Sequence, residues 1–158
     1  MPFDAKLQRM IMGRFATGVT VITTGREGNY SGLTANAVAS LSLNPPLVLV
    51  AVEKRAHSHE YLMRERNFAM NILAADQEHL SQRFATPGPK VFTDLEFKTG
   101  QTGAPILAGT LGHVDCKVTE ILPGGDHDIF VGEIVEGEAT DGKPLLYFCG
   151  KYRALSDA

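Results

Sequence analysis

The sequence predicts a β-rich α+β protein, an antiparallel barrel decorated with short covering helices. Three observations carry this. Short β-branched or apolar runs recur with hairpin signals beside them, as in GVTVITT before GREGN and DIFVGEIVEGEA before TDGKP. Helical spacing is confined to three brief stretches. One run, LVLVAV, is apolar without alternation, which marks a strand buried on both faces. The 158 residues fit one domain, 1–158, able to bury a core without staples.

The elements follow in order. Behind Asp4, a ready N-cap, Leu7, Met10, Ile11, Arg14 and Phe15 recur at helical spacing and predict an amphipathic helix over 4–15 that covers a sheet. Gly18 to Thr24 is a strand that enters a turn at Gly25 to Asn29. From Ser31 to Ser42 the chain is polar or small; Pro45-Pro46 then excludes helix and LVLVAV follows. Ser58 is placed to cap a short helix, HEYLMRERN, and NFAMNIL returns as a strand. Asp76 is placed to cap QEHLSQRF, whose Leu80 and Phe84 share a face. Residues 85–105, rich in Gly, Pro and Thr, read as a long surface excursion with one short strand, of the kind that is functional or mobile. Three antiparallel strands close the chain: HVDCKVTEIL, with Val114, Cys116 and Val118 alternating against Asp115, Lys117 and Thr119, then DIFVGEIVEGEA, then PLLYFCGKYRAL.

Composition narrows the function. Apolar residues make 44% and charged residues 21%, without an apolar run near the eighteen or so residues of a membrane span. The start, MPFDAKLQRM, does not read as a secretory signal, so a soluble cytoplasmic protein with no membrane partner is expected. A net charge of −3 with fifteen scattered Lys and Arg leaves no footprint for nucleic acid. Cys116 and Cys149 are too few and too far apart for a disulfide framework or a zinc site, and no metal is expected. GxSxG, HExxH, CxxC, GxxxxGK[ST] and GxGxxG are all missing, so no hydrolase, metal or Rossmann motif is present.

Four polar segments stand out. In TANAVASLS, Thr34, Asn36, Ser40 and Ser42 share one parity without charge, which suits a flat heteroaromatic ligand or, equally, a wetted hydroxyl face. In EKRAHSHEYL, Lys54, Arg55 and His57 precede a helix start, which makes either a phosphate site or a solvated loop. In GGDHDIFVGEI, His127 follows Gly124-Gly125 between Asp126 and Asp128, so the turn either presents an imidazole to a pyrophosphate or carboxamide or simply carries a surface histidine. In YFCGKYRAL, Lys151, Tyr152 and Arg153 either serve a ligand or blunt a strand edge.

Taken in order, FATGVTVITT, GLTANAVASLSLNPPLVLVAV, FAMNIL with SQRFA, GGDHDIFVGEI and PLLYFCGKYRAL resemble the flavin reductase-like family with the FMN-binding split-barrel fold. The resemblance spans nearly the whole chain. It implies a homodimer that binds FMN or FAD near the subunit interface, reduces it with NADH or NADPH, and supplies it to a flavin-dependent monooxygenase component. Carried onto this chain, it implies flavin-ring contacts from Thr34, Ala35, Asn36 and Ala37, with Ser40, Leu41 and Ser42 near the ribityl chain. Glu53, Lys54, Arg55, His57 and Ser58 resemble the phosphate turn, and Asn71, Arg83 and Phe84 occupy positions near the flavin. His127 resembles the histidine associated with nicotinamide nucleotide, and Tyr152 and Arg153 close the site. Ala39 and Cys149 depart from the pattern, where a hydroxyl or thiol and a longer polar residue are common.

The reaction implied is hydride transfer between two bound rings, so no general acid or base is expected. A non-catalytic flavin carrier with the same fold is the alternative. A split-barrel oxidase of a pyridoxine-type substrate is weaker, because no second basic phosphate cluster lies near the C-terminus.

Overall fold

The computed structural model describes residues 2–156. Helix α1 (Ala5–Met12) is followed by β1 (Thr17–Gly18), β2 (Thr20–Arg26), β3 (Asn29–Ala35), β4 (Val38–Leu43) and β5 (Pro46–Glu53). Then come α2 (His57–Glu65), β6 (Asn67–Ile72), α3 (Glu78–Ala85), β7 (Phe97–Thr99) and β8 (Pro105–Leu107). The long pair β9 (Gly112–Gly124) and β10 (His127–Ala139) precedes β11 (Leu146–Phe148) and β12 (Lys151–Arg153).

Seven strands form one sheet in the order β3-β2-β6-β9-β10-β5-β4, each pairing antiparallel. Its two edge strands, β3 and β4, are consecutive in the chain. Asn36 and Ala37 alone join them, and Ala51 N–H donates to the Ala37 carbonyl at 2.9 Å. The sheet therefore curls into a barrel split along one seam, and the crossing at Asn36–Ala37 bridges that seam. A second sheet, β1-β11-β12, and the β7–β8 hairpin lie outside it.

The barrel interior is filled by Ile22, Val48, Val50, Val52, Leu62, Phe68, Met70, Cys116, Val118 and Phe130. Gly132 is required here, because a Cβ at that position would lie 2.6 Å from Phe68 and 2.8 Å from Cys116. Burial pushes the Cys116 thiol up to about 12, with the neighbouring Asp115 adding to it. A second cluster, Val19, Val21, Leu73, Leu80, Phe84, Phe92, Leu107 and Leu145, packs on the other side of β2.

The predicted fold class stands, with local corrections. β2 and β6, not β5, are buried on both faces; β5 buries Val48, Val50 and Val52 and half-buries Leu47, Leu49 and Ala51. The 34–42 segment is broken at Asn36–Ala37, so its polar residues do not share one continuous face. PLLYFCGKYRAL is a tight β11–β12 hairpin with Cys149 and Gly150 both at positive φ, the I′ pattern, rather than one strand. The 85–105 excursion holds the one short strand expected, β7, which pairs with β8 where the excursion ends. Asp115 is fully buried instead of facing water, accepting from Thr102 N–H at 2.9 Å and from the Thr102 hydroxyl. Finally, α1 forms with Asp4 as its cap but has no buried residue, its C-terminal end meeting the β11–β12 hairpin where Cys149 N–H donates to the Gly13 carbonyl at 2.9 Å.

Candidate nucleotide-binding cleft

The seam of the barrel opens onto a cavity of about 510 Å³. One wall is the end of β3 and the crossing, Gly32 to Ala37, where the edge strands part. Small side chains at Ala35, Ala37 and Ala51 keep this wall shallow. Its hydroxyl is already used: Thr34 Oγ1 donates to the Ser81 carbonyl at 2.6 Å, and Asn36 Nδ2 reaches Thr17 Oγ1 at 3.2 Å.

The floor is the start of α2 with the preceding loop, from which Glu53, Arg55, Ala56, His57 and Ser58 line the cavity. The cap differs from the sequence reading. Ala56 is the N-cap with no side-chain bond, and Ser58 lies inside the first turn, 1% exposed. Ser58 Oγ instead pairs with Ser31 Oγ at 2.8 Å, and Ser31 Oγ also meets His57 Nδ1 at 2.9 Å. This buried hydroxyl pair clamps α2 against β3 and orients His57, leaving Nε2 as its ring nitrogen for a ligand. With no side-chain cap, the His57 and Ser58 N–H groups at the start of α2 face an anion site, while His59 N–H is spent on the Ala56 carbonyl at 3.0 Å.

The opposite wall is the end of α3 and the loop after it, Phe84 to Gly88 with Lys90. Lys90 Nζ donates to the Thr86 carbonyl and to the Gly88 carbonyl at 2.6 Å, and burial holds its ammonium below the ordinary lysine range. Lys90 and this loop were missed in the sequence beyond their being a long excursion. The one signal was composition, a lysine after three Gly or Pro in PGPK. The cap of α3 also differs: Gln77, not Asp76, is the N-cap, and its side chain ties Ala74 N–H to the Ala108 carbonyl.

At the mouth stands His127. Gly125 alone in its turn has positive φ, the II′ pattern, and His127 pairs in register with Gly124 on one side and Glu53 on the other. Asp126 Oδ1 meets His127 Nδ1 at 2.7 Å, and this bond, with Lys54 nearby, holds the Asp126 carboxyl below the usual carboxylate range. The second flanking acid does not serve His127: Asp128 pairs with His59.

Ten of the predicted residues thus meet around one cavity: Thr34, Ala35, Asn36, Ala37, Glu53, Arg55, His57, Ser58, Phe84 and His127. Tyr152 lines a smaller adjoining cavity that shares Thr34, Asn36 and Ala85, and its hydroxyl pairs with Ser81 Oγ at 2.7 Å. The others lie elsewhere. Ser40, Leu41 and Ser42 sit on the edge strand β4, Lys54 and Arg153 are exposed, and neither cavity includes them. Asn71 is fully buried and spends its amide on Val21, Thr23 and Leu107. Arg83 points to the loop, bonding Asp94 and the Val91 carbonyl. No group of His, Cys, Asp and Glu among the described residues is arranged to hold a metal ion.

A barrel split along an uncharged seam, with a helix start and a histidine turn around one cleft, defines an antiparallel split-barrel protein. The chain belongs to the flavin reductase-like family: the family model described as a flavin reductase like domain matches residues 12–156. A similar protein is the reductase component of a 4-nitrophenol 4-monooxygenase/4-nitrocatechol 2-monooxygenase from Rhodococcus opacus, 41% identical over 151 residues, 96% of this chain and 81% of the relative. An FMN reductase (NADH) from Agrobacterium fabrum is 38% identical over 94% of this chain and 84% of its own length. Among solved structures, the Streptomyces globisporus NADH:FAD oxidoreductase in complex with NAD and FAD fragments matches with a TM-score of 0.91 at 35% identity, covering 99% of this chain and 98% of that one.

Proposed function

We propose that the seam cavity seats the flavin and that the His127 turn holds the nicotinamide nucleotide beside it. The chain is an NAD(P)H:flavin oxidoreductase of this family. One observation carries the site reading: three segments far apart in sequence, Thr34–Ala37, Arg55–Ser58 and His127, converge on one cavity. Its volume lies in the range of small-molecule sites, and its lining fits a flavin. Small residues on the seam leave room for a flat ring. Arg55, Lys90 and the α2 start offer positive charge to a phosphate, with Glu53 the one carboxylate among the described lining residues.

Held in this cavity, a flavin would supply the hydride acceptor and a nicotinamide nucleotide the hydride donor. The chain's own residues bind and orient. Thr34 to Ala37 flank the ring, Arg55, His57 and the α2 N–H groups hold the phosphate, Lys90 closes over it from the α3 side, and Phe84 walls the pocket. His127 orients the second nucleotide, and no side chain here has to abstract a proton. Relatives named as reductase components of monooxygenases support a role in which reduced flavin passes to an oxygenase partner.

The same reading takes 1–158 as one flavin reductase-like domain working as a cytoplasmic homodimer. Helix α1 leaves Leu7, Met10, Ile11 and Met12 exposed, and Leu43 on β4 is 92% exposed, an apolar surface that a second copy would cover. Among the described residues, no helix is long and apolar enough to cross a membrane. Ile11→Glu is expected to yield a monomer by light scattering; an unaltered dimer contradicts this interface.

Mixing the purified protein with flavin and NADH or NADPH tests the activity. Loss of the reduced-nicotinamide absorbance well above the flavin-only rate is expected. Flavin binding without such oxidation, with either donor, points to the carrier instead.

A further inference from the structure

We propose that His59 and Asp128, which lie outside the cavity lining, form a positioning pair that aims His127 at the nicotinamide nucleotide. The inference rests on the reading of His127 given above. His59 Nε2 lies 2.6 Å from Asp128 Oδ2, with the two side chains only 15% and 17% exposed. The imidazole is further fixed edge-on to the Phe130 ring, with centroids 5.6 Å apart.

This pair is not needed to hold the strand. β10 is already bonded along its length to β9 and over His127 to Glu133 to β5, and Phe130 is fully buried in the barrel core. Taking an acid and an imidazole largely out of water has a desolvation cost that the ladder does not require. What the pair adds is local. Successive strand residues point to opposite faces, so anchoring the Asp128 side chain fixes the rotation of the strand at its first residues, and with it the direction of His127.

The anchor is the first turn of α2, two residues beyond His57. Lys54 N–H donates to the Asp126 carbonyl at 3.0 Å, so the turn is tied to the α2 side at its backbone before His127 and at a side chain after it. The floor proposed to hold the flavin phosphate and the turn proposed to hold the second nucleotide are thereby built as one piece.

The test compares Asp128→Ala, Asp128→Asn and His59→Ala with His127→Ala, in the full chain. Asp128→Ala and His59→Ala are each expected to raise the KM for NADH about ten-fold, as loss of a charge-assisted hydrogen bond does, with kcat at saturating NADH and flavin affinity within about two-fold. Asp128→Asn, which keeps an acceptor for the imidazole N–H, restores most of the loss. The double variant is no worse than either single one, because both remove the same contact. An unchanged KM in Asp128→Ala, where His127→Ala raises it, overturns the positioning role and leaves the reading of His127 intact. No effect of His127→Ala overturns both. KM, flavin affinity and melting temperature moving together in Asp128→Ala also overturns it, in favour of a purely structural pair.

Discussion

Side by side at the cavity, the first turn of α2 and the turn carrying His127 are ordered by different means. On the α2 side, Ser31 and Ser58 are only 0% and 1% exposed, and their hydroxyls fix each other and His57. At His127, the partner is an exposed carboxylate, Asp126, whose side chain is 89% open to solvent. One wall is locked by buried polar bonds that cannot be exchanged for water. The other is a hairpin turn tethered at its edges and wet at its tip. A wall of the first kind suits a ligand held through many contacts; a turn of the second kind suits one that enters and leaves each cycle.

Removing the lock should have the largest effect. Ser31→Val leaves His57 Nδ1 and the Ser58 hydroxyl without their shared partner, at a cost of about 1–3 kcal/mol. A lower melting temperature together with weaker flavin binding is expected; flavin affinity unchanged in a destabilised protein would mean that the lock serves the fold alone. Next is charge on the same wall. Arg55→Ala should weaken flavin binding about five-fold, more at low salt than at high, while the KM for NADH holds. Equal weakening of both ligands would erase the division between the walls.

The smallest effect is a titration on the wet side. The Asp126 carboxyl is held low by its bond to His127, so the bonded turn is complete above the ordinary carboxylate range and is lost as pH falls through the lowered value. Carboxyl carbon shifts in an NMR titration should place Asp126 below ordinary aspartates, and His127→Ala should move it up. A midpoint indifferent to that substitution would detach the two side chains.

Much of this arrangement was legible in the sequence. The β-rich class and the amphipathic helices could be reached from residue types and order, because turns and strand runs are local, whereas the grouping of TANA, the 55–58 turn and GGDHD into one site came through the resemblance to a family. What could not be read was set by distant partners. Asp115 looked like the polar face of an alternating strand, yet Thr102 on the β7–β8 excursion reaches over to satisfy it. Ser58 looked like a cap, but Ser31 from another strand claims its hydroxyl. Thr34 to Ser42 looked like one strand, and only the closure of the barrel explains why the chain breaks at Asn36–Ala37 to cross the seam. Lys90 escaped notice because a loop without periodicity gives no sign of which side chain turns inward.

The division between the walls is tested most directly by one pair of measurements on His127→Ala: the dissociation constant of the flavin, by fluorescence titration, and the steady-state KM for NADH. The flavin constant should stay within about two-fold while the KM rises about ten-fold or more, as the proposed assignment of the imidazole to the second nucleotide requires. A KM that does not move, or a flavin constant that rises in step with it, would contradict the account.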